Sequence, residues 1–225
     1  MKPLPSARPT SPVPRIPIFL LSMAHHYIKP RTAASRYHRL MLDFYFDYAS
    51  PWAYLAALAL PAQLPAVKVV YKPIYLRGLE SFAKGLPYTP AKLRYIMQDL
   101  ERCAKHEKVR MKAPTQFPIN GLYAARGALA ALQTDKFEPY HFAMFHAAWR
   151  DDRDVSDKQV VLAVAAEVGL DLTAAIDSLE IKDKLKQQTA HAVERGVFGV
   201  PSFFVGDELF WGHDRLDYVA RALGV

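Results

Sequence analysis

The chain has 225 residues, of which 51% are apolar and 23% charged, as expected of a globular protein with one domain and a substantial core. No apolar stretch approaches the roughly 20 residues that a membrane-spanning helix needs, so we expect no membrane partner. Cys103 is the single cysteine, which excludes an internal disulfide, a CxxC redox pair and a multi-cysteine metal site. We therefore expect no metal.

The net charge of +7 originates in the first forty residues, which hold seven of the 29 lysines and arginines and none of the 22 acidic residues. The rest of the chain is balanced and offers no basic surface for a nucleic acid. Prolines interrupt residues 1–40 throughout. We expect a disordered leader, or a non-native one if Met41 is the biological start. A mitochondrial transit peptide is the alternative to the cytoplasmic location that we expect.

The fold is predicted to begin directly after this leader. Residues 42–47 (LDFYFD) are short and aromatic, which is typical of a buried strand. Ser50 and the proline after it predict a helix N-cap and first helical position, and the apolar run up to Gln63 continues that helix. Residues 67–71 alternate as a second strand. Strand, helix and strand at this spacing predict a parallel βαβ unit.

The middle of the chain is predicted to be helical. From about residue 90 to 179, apolar residues recur at three- and four-residue steps, with no strand signal. We expect Asp154 to cap the last of these helices. Cys103 is interpreted as a buried packing residue. His141 and His146 lie five positions apart, a poor spacing for one metal, and are interpreted as core or surface residues.

Strand signals return near the C-terminus. Residues 200–205 and 208–211 flank Gly206-Asp207, a two-residue turn typical of a hairpin. Asp214 is then predicted to cap a final helix. The sequence thus predicts an α/β thioredoxin-like fold (βαβ … αββα), with an all-helical insertion between the second strand and the C-terminal half. Residues 41–225 would form this single domain.

Ser50 is a candidate catalytic residue because it lies between the first strand and the first helix. Thioredoxin-like folds place their reactive thiol there, where backbone amides and the positive end of a helix stabilise a thiolate. The local sequence is Ser-Pro-Trp-Ala, without cysteine. The alternative is that Ser50 is only an N-cap, which would be common at a Ser-Pro helix start.

Two further segments could belong to the same site. Pro201 directly precedes the third predicted strand, where thioredoxin-like proteins carry a cis proline that faces the reactive position. The backbone of Val200 could then pair with an extended peptide such as glutathione. Alternatively, Pro201 merely begins an edge strand. Residues 211–214 precede the last helix, and a helix N-terminus with an acidic residue suits a small zwitterion.

The two ends of the domain resemble a known family. Residues 43–56 (DFYFDYASPWAYLA) and 197–216 (VFGVPSFFVGDELFWGHDRL) are similar to the opening and closing motifs of the 2-hydroxychromene-2-carboxylate isomerases. These are relatives of kappa-class glutathione transferases and of the thioredoxin-fold disulfide oxidoreductases. The resemblance covers about residues 41–223.

The resemblance implies glutathione as cofactor and a residue-by-residue assignment of the site. Ser50 would hydrogen-bond the glutathione sulfur, and Val200, beside cis-Pro201, would pair with the peptide backbone. The γ-glutamyl end would be held by Trp211, Gly212, His213 and Asp214. The implied reaction converts a chromene hemiketal acid to a benzylidenepyruvate by reversible thiolate addition, without net redox. It belongs to aromatic hydrocarbon catabolism such as naphthalene degradation, and the family further implies a homodimer.

Some positions depart from the family pattern. Glu80 stands where the naphthalene-pathway enzymes tend to carry a lysine, and Cys103 stands where a tryptophan is common. We therefore add Arg77, Lys92 and Asn120 to Glu80 as candidate residues for a small aromatic carboxylate substrate. Two other functions share the predicted fold, a kappa-like glutathione transferase or peroxidase and a non-catalytic thioredoxin-like binding domain.

Overall fold

The computed structural model describes residues 41–225, and the predicted leader lies outside the described residues. The strands of this part are β1 (Met41–Phe46), β2 (Lys68–Pro73), β3 (Ser202–Val205) and β4 (Glu208–Trp211). Its α-helices are α1 (Pro51–Gln63), α2 (Pro90–His106), α3 (Leu122–Ala131), α4 (Phe137–Trp149), α5 (Lys158–Glu167), α6 (Leu179–Glu194) and α7 (Leu216–Leu223). Short 3₁₀ turns occupy Leu76–Gly78, Glu80–Phe82 and His213–Arg215.

The sheet has the strand order β2-β1-β3-β4. β1 runs parallel to β2 and antiparallel to β3, and β3 and β4 form the C-terminal hairpin. The hairpin turn begins at Gly206, whose φ of 61° suits the positive dihedral angles of a two-residue turn. The predicted thioredoxin-like fold is confirmed, including its βαβ and ββα halves.

The central strand β1 supplies both faces of the sheet with core residues. Phe44 and Phe46 belong to the main core, while Tyr45 packs with a smaller cluster on the other face. This division follows from the two-residue period of a strand. Phe44 stacks on Phe203 of β3 with ring centroids 5.1 Å apart. Burying each such side chain stabilises the fold by about 1.5–3 kcal/mol.

The helical insertion after β2 includes α2 to α5, and residues 90–179 contain no strand. His141 of α4 is 1% exposed and lies in an aromatic cage, where burial lowers its pKa to about 3 and keeps it neutral. Its Nδ1 lies 3.2 Å from the Tyr48 hydroxyl. His141 is therefore a core residue.

Within the described part of the chain, no helix is long and apolar enough to cross a bilayer.

Two capping predictions are wrong. The N-cap of α5 is Asp157, whose carboxylate accepts from the Gln159 amide at 2.8 Å, whereas Asp154 closes an earlier turn. Asp214 caps no α-helix, because it lies inside the 3₁₀ turn and α7 begins only at Leu216. In both places a short turn precedes the helix, and sequence patterns do not separate that turn from the first helical turn.

The interpretation of Cys103 needs a smaller correction. Its side chain is half-buried rather than buried. Partial burial raises the pKa of the thiol, and nearby carboxylates, Asp99 foremost, raise it further. The thiol is thus kept protonated, which agrees with a residue that is not a nucleophile.

Candidate active site

A single cavity of about 500 Å³ contains most of the predicted site. It is formed by the start of α1, the loops after β2, one face of α2, the loop before β3 and the end of β4. The predicted residues that line it are Ser50, Arg77, Lys92, Val200, Pro201, Trp211, Gly212, His213 and Asp214. This volume lies within the range of small-molecule binding sites.

The Ser50 hydroxyl makes two hydrogen bonds, one within α1 and one to the loop before β3. Its hydroxyl oxygen accepts from the Ala53 amide at 3.2 Å, so it is the N-cap of α1. The same hydroxyl donates to the Val200 carbonyl at 3.2 Å. The capping role and the place in the cavity are therefore compatible. The bond also ties the start of α1 to a loop 150 residues further along the chain.

The loop before β3 has the predicted geometry. The Val200–Pro201 peptide bond is cis. The Pro201 carbonyl accepts from the Gly212 amide at 3.0 Å, and the Ser202 hydroxyl donates to the Gly199 carbonyl at 2.7 Å. Among the hydrogen bonds of residues 41–225, none is donated by the Val200 amide. The Val200 carbonyl thus lies beside Ser50, and the Val200 N–H has no partner among those bonds.

The segment after β4 is shaped by a glycine. Gly212 has a φ of 112°, and a Cβ there would lie 2.6 Å from the Asp214 carboxylate, so only glycine fits. Trp211 is half-exposed and packs against Phe198 with ring centroids 5.1 Å apart. Asp214 is exposed and pairs with the neighbouring Arg215 at 3.1 Å. The turn therefore places backbone amides and a carboxylate at one end of the cavity.

The His213 side chain contacts Trp52 and the end of α2. The ring stacks on Trp52 with centroids 4.8 Å apart, and Nε2 lies 3.4 Å from the Glu107 carboxylate at the end of α2. The side chain is only 12% exposed. The ring thus joins the helical insertion to the site.

The predicted substrate residues divide into two pairs. Arg77 and Lys92 line the cavity, and the Lys92 ammonium lies 4.9 Å from the centre of the Tyr88 ring. Glu80 and Asn120 are not among the lining residues. The Asn120 carboxamide instead accepts from the Leu122 amide at 3.2 Å, at the start of α3. A substrate role for any of the four residues stays a prediction.

A large part of the cavity wall is apolar. Its walls come from the loop around residues 82–88, from α2 and from residues 117–119, and include Phe82, Tyr88, Leu93, Ile96, Met97 and Phe117. A planar aromatic molecule would bury its surface well in such surroundings. The cavity therefore joins a polar end around Ser50 to an apolar chamber. Within residues 41–225, no three His, Cys, Asp or Glu side chains are grouped as a metal site.

Trp149 and Asp47 are two of the lining residues that were not predicted from the sequence. The indole nitrogen of Trp149 donates to the Tyr48 carbonyl at 2.8 Å and supports the loop that carries Ser50. Asp47 is 1% exposed, and burial raises its pKa to about 6 despite hydrogen bonds from two backbone amides and the nearby charge of Arg77. An acidic residue directly after the aromatic strand β1 and shortly before Ser50 was the signal that could have found it.

Comparison with known proteins agrees with this arrangement. The sequence matches the DsbA-like thioredoxin domain over residues 41–224. The 2-hydroxychromene-2-carboxylate isomerase of Sphingobium xenophagum is 33% identical over 193 residues, covering 81% of this chain and 97% of that protein. Glutathione S-transferase kappa 1 of Rattus norvegicus is 24% identical over 207 residues, covering 82% and 91%. A solved structure of 2-hydroxychromene-2-carboxylate isomerase is similar with a TM-score of 0.72 at 29% identity, covering 82% and 94%.

The fold and the cavity define a thioredoxin-like protein of the DsbA type that carries a serine, and no cysteine, between β1 and α1. Relatives at 30–33% identity then narrow the class. The chain belongs to the family of the 2-hydroxychromene-2-carboxylate isomerases.

Proposed function

We propose that this protein is a glutathione-dependent isomerase that interconverts 2-hydroxychromene-2-carboxylate and trans-o-hydroxybenzylidenepyruvate, or a related intermediate of aromatic catabolism such as naphthalene degradation. The observation that carries the proposal is Ser50 within hydrogen-bonding distance of the loop that contains cis-Pro201, in one cavity with an apolar chamber. Bound glutathione would supply a thiolate that adds reversibly to a conjugated double bond.

Ser50 would hold that sulfur in its charged form. Its hydroxyl is a donor, and a hydrogen bond to an anion is worth about 1.5–3 kcal/mol. The positive end of α1 adds about 0.3–1 kcal/mol for a negative charge next to its first turn. A serine cannot form a disulfide, so the site favours an isomerisation without net redox.

The rest of glutathione would lie along the loop before β3 and the turn after β4. The Val200 amide offers a donor to its backbone, and Gly212 lets the chain turn closely around it. The Asp214 carboxylate would receive the γ-glutamyl ammonium. Because the His213 ring is engaged with Trp52, we assign His213 to this site through its backbone alone.

The substrate would occupy the apolar chamber with its carboxylate toward Arg77 and Lys92. Both cations line the cavity, whereas Glu80 and Asn120 are not among its lining residues. We therefore propose Arg77 and Lys92 as the residues that bind the substrate carboxylate. We further propose a homodimer in the cytoplasm, where the reducing conditions suit a glutathione enzyme with one unpaired cysteine.

The second candidate is a kappa-like glutathione transferase or peroxidase, favoured by the kappa-class relatives. Turnover separates the two. An isomerase leaves the glutathione concentration unchanged over many turnovers, whereas stoichiometric thiol loss would contradict the isomerase proposal. A non-catalytic binding domain would convert no substrate, and calorimetry without a glutathione signal at millimolar concentration would favour it.

The role of Ser50 is tested by Ser50→Ala. We expect the variant to fold and to bind glutathione nearly as well, but the bound thiol should have a higher pKa, visible in its ultraviolet thiolate absorbance. Ser178 is a matched control, because it caps α6 by accepting from the Ile181 amide at the same 3.2 Å. Each variant should lose about 0.5–2 kcal/mol of stability as a lost N-cap. A thiolate titration unchanged in Ser50→Ala contradicts the proposed role.

A further inference from the structure

Asp47 receives hydrogen bonds from two segments that line the cavity. One carboxylate oxygen accepts from the Ala49 amide at 2.9 Å, and the other accepts from the Leu76 amide at 2.6 Å. Ala49 directly precedes Ser50, and Leu76 directly precedes Arg77. One buried side chain thus contacts the backbone next to the residue proposed for the sulfur and next to a residue proposed for the substrate.

A third segment packs against the same carboxylate. A Cβ at Gly121 would lie 1.9 Å from the Asp47 oxygen, so the backbone at the start of α3 is in direct contact with it. Gly121 also lines the cavity. The positive end of α3 therefore faces the carboxylate. The three segments come from distant parts of the chain, and Asp47 lies where they meet.

We propose that Asp47 is a positioning residue, whose ionised carboxylate fixes the spacing between the segment that carries Ser50 and the segment that carries Arg77. This inference rests on the proposed function, because that function assigns the sulfur and the substrate to these two segments. Asp47 need not contact either molecule. Its contribution is to keep the nucleophile and the acceptor carbon at one separation.

The surroundings of Asp47 make this spacing sensitive to pH. The charged and titratable groups that interact with it are Arg77 of the 3₁₀ turn and the hydroxyls of Tyr48 and Tyr75, and Arg126 of α3 acts on Tyr75. Burial raises the pKa of Asp47 to about 6. Below that pH one oxygen carries a proton and becomes a weaker acceptor for the amide that contacts it.

The direct test is Asp47→Asn, which keeps the shape of the side chain and removes its charge. We expect KM for the chromene carboxylate to rise about tenfold, the size of one lost hydrogen bond to a charged group. The acid limb of the kcat/KM profile near pH 6 should also disappear. In amide hydrogen exchange, Ala49 or Leu76 should lose protection. This last readout requires no glutathione and stands even where the proposed activity fails.

A second variant and a control complete the test. Gly121→Ala leaves the carboxylate present but displaces it, so KM should rise while the acid limb remains. Asp157→Asn removes another carboxylate that accepts an amide hydrogen, at the N-cap of α5 and outside the cavity residues, and should alter neither readout. Should Asp47→Asn not fold, exchange at Ala49 and Leu76 in the wild type, corrected for the intrinsic rate, must still increase below pH 6.

The outcomes distinguish the two levels of the argument. Unchanged exchange at both amides together with an unchanged acid limb overturns the positioning role. A wild type that binds no glutathione overturns the proposed function instead, while a loss of amide protection in Asp47→Asn would then still support the structural part of the inference.

Discussion

The raised pKa of Asp47 predicts how the unfolding free energy of the wild type changes with pH relative to that of Asp47→Asn. Burial raises the pKa of Asp47 from 3.8 to about 6, a difference that corresponds to about 3 kcal/mol. Between these two values the folded protein holds a proton that the unfolded chain has lost, so the wild type becomes less stable as the pH rises. Asparagine does not titrate. The wild type should therefore lose about 3 kcal/mol relative to the variant, mostly between pH 4 and pH 7.

The assay is urea unfolding of both proteins at several pH values across this range. The quantity compared is the difference in unfolding free energy between wild type and variant at each pH, which removes the titration of all other groups. Any constant offset reports the shape and hydrogen bonds of asparagine. The change of the difference with pH reports the Asp47 carboxyl alone.

A control with the opposite sign is available at Asp152. Hydrogen bonds from Lys112 and Thr115 lower the pKa of this carboxyl, so its stabilisation is present at neutral pH and is lost as the pH falls. For Asp152→Asn the wild-type advantage should therefore shrink toward acid. The reasoning for Asp47 is refuted if the difference in unfolding free energy between the wild type and Asp47→Asn does not change with pH. It is also refuted if this difference changes with pH in the same direction as the one for Asp152→Asn.

Three further substitutions test the site and its support. Gly212→Ala should weaken glutathione binding measured by calorimetry, since its Cβ would lie 2.6 Å from the Asp214 carboxylate at a φ of 112°. Trp149→Phe removes the indole donor to the Tyr48 carbonyl, and chemical unfolding should show a loss of about 1–3 kcal/mol. Cys103→Ser should leave isomerase kinetics unchanged, because this thiol lies outside the cavity residues; a large loss of kcat would contradict a reaction in which the working thiol comes from glutathione.

The regular elements were predictable from the sequence because their signals are local. Alternation along residues 67–71 and the glycine turn at Gly206 are set by neighbouring residues, and the structure contains the corresponding strands. Ser50 could be placed because the strand before it and the helix after it are both strongly patterned. The structure shows in addition that capping and cavity lining are performed by one hydroxyl.

The missed features depend on distant parts of the chain. Asp47 acquires its role from Leu76 and Gly121, which no periodicity connects to β1. Glu80 lies in a short 3₁₀ turn and Asn120 in an irregular segment, where spacing along the sequence does not fix the direction of a side chain. Their exclusion from the cavity therefore needed the tertiary structure.

The hydrogen bond from Ser50 to the Val200 carbonyl has a consequence for selectivity. A hydroxyl has one proton, so a bound sulfur must compete with that carbonyl for it. A thiolate is a far better acceptor than a neutral thiol, and only the charged form would gain by the exchange. In the proposed complex, the Val200 carbonyl would therefore make the site selective for a thiolate, because a neutral thiol would not displace the carbonyl from the Ser50 proton.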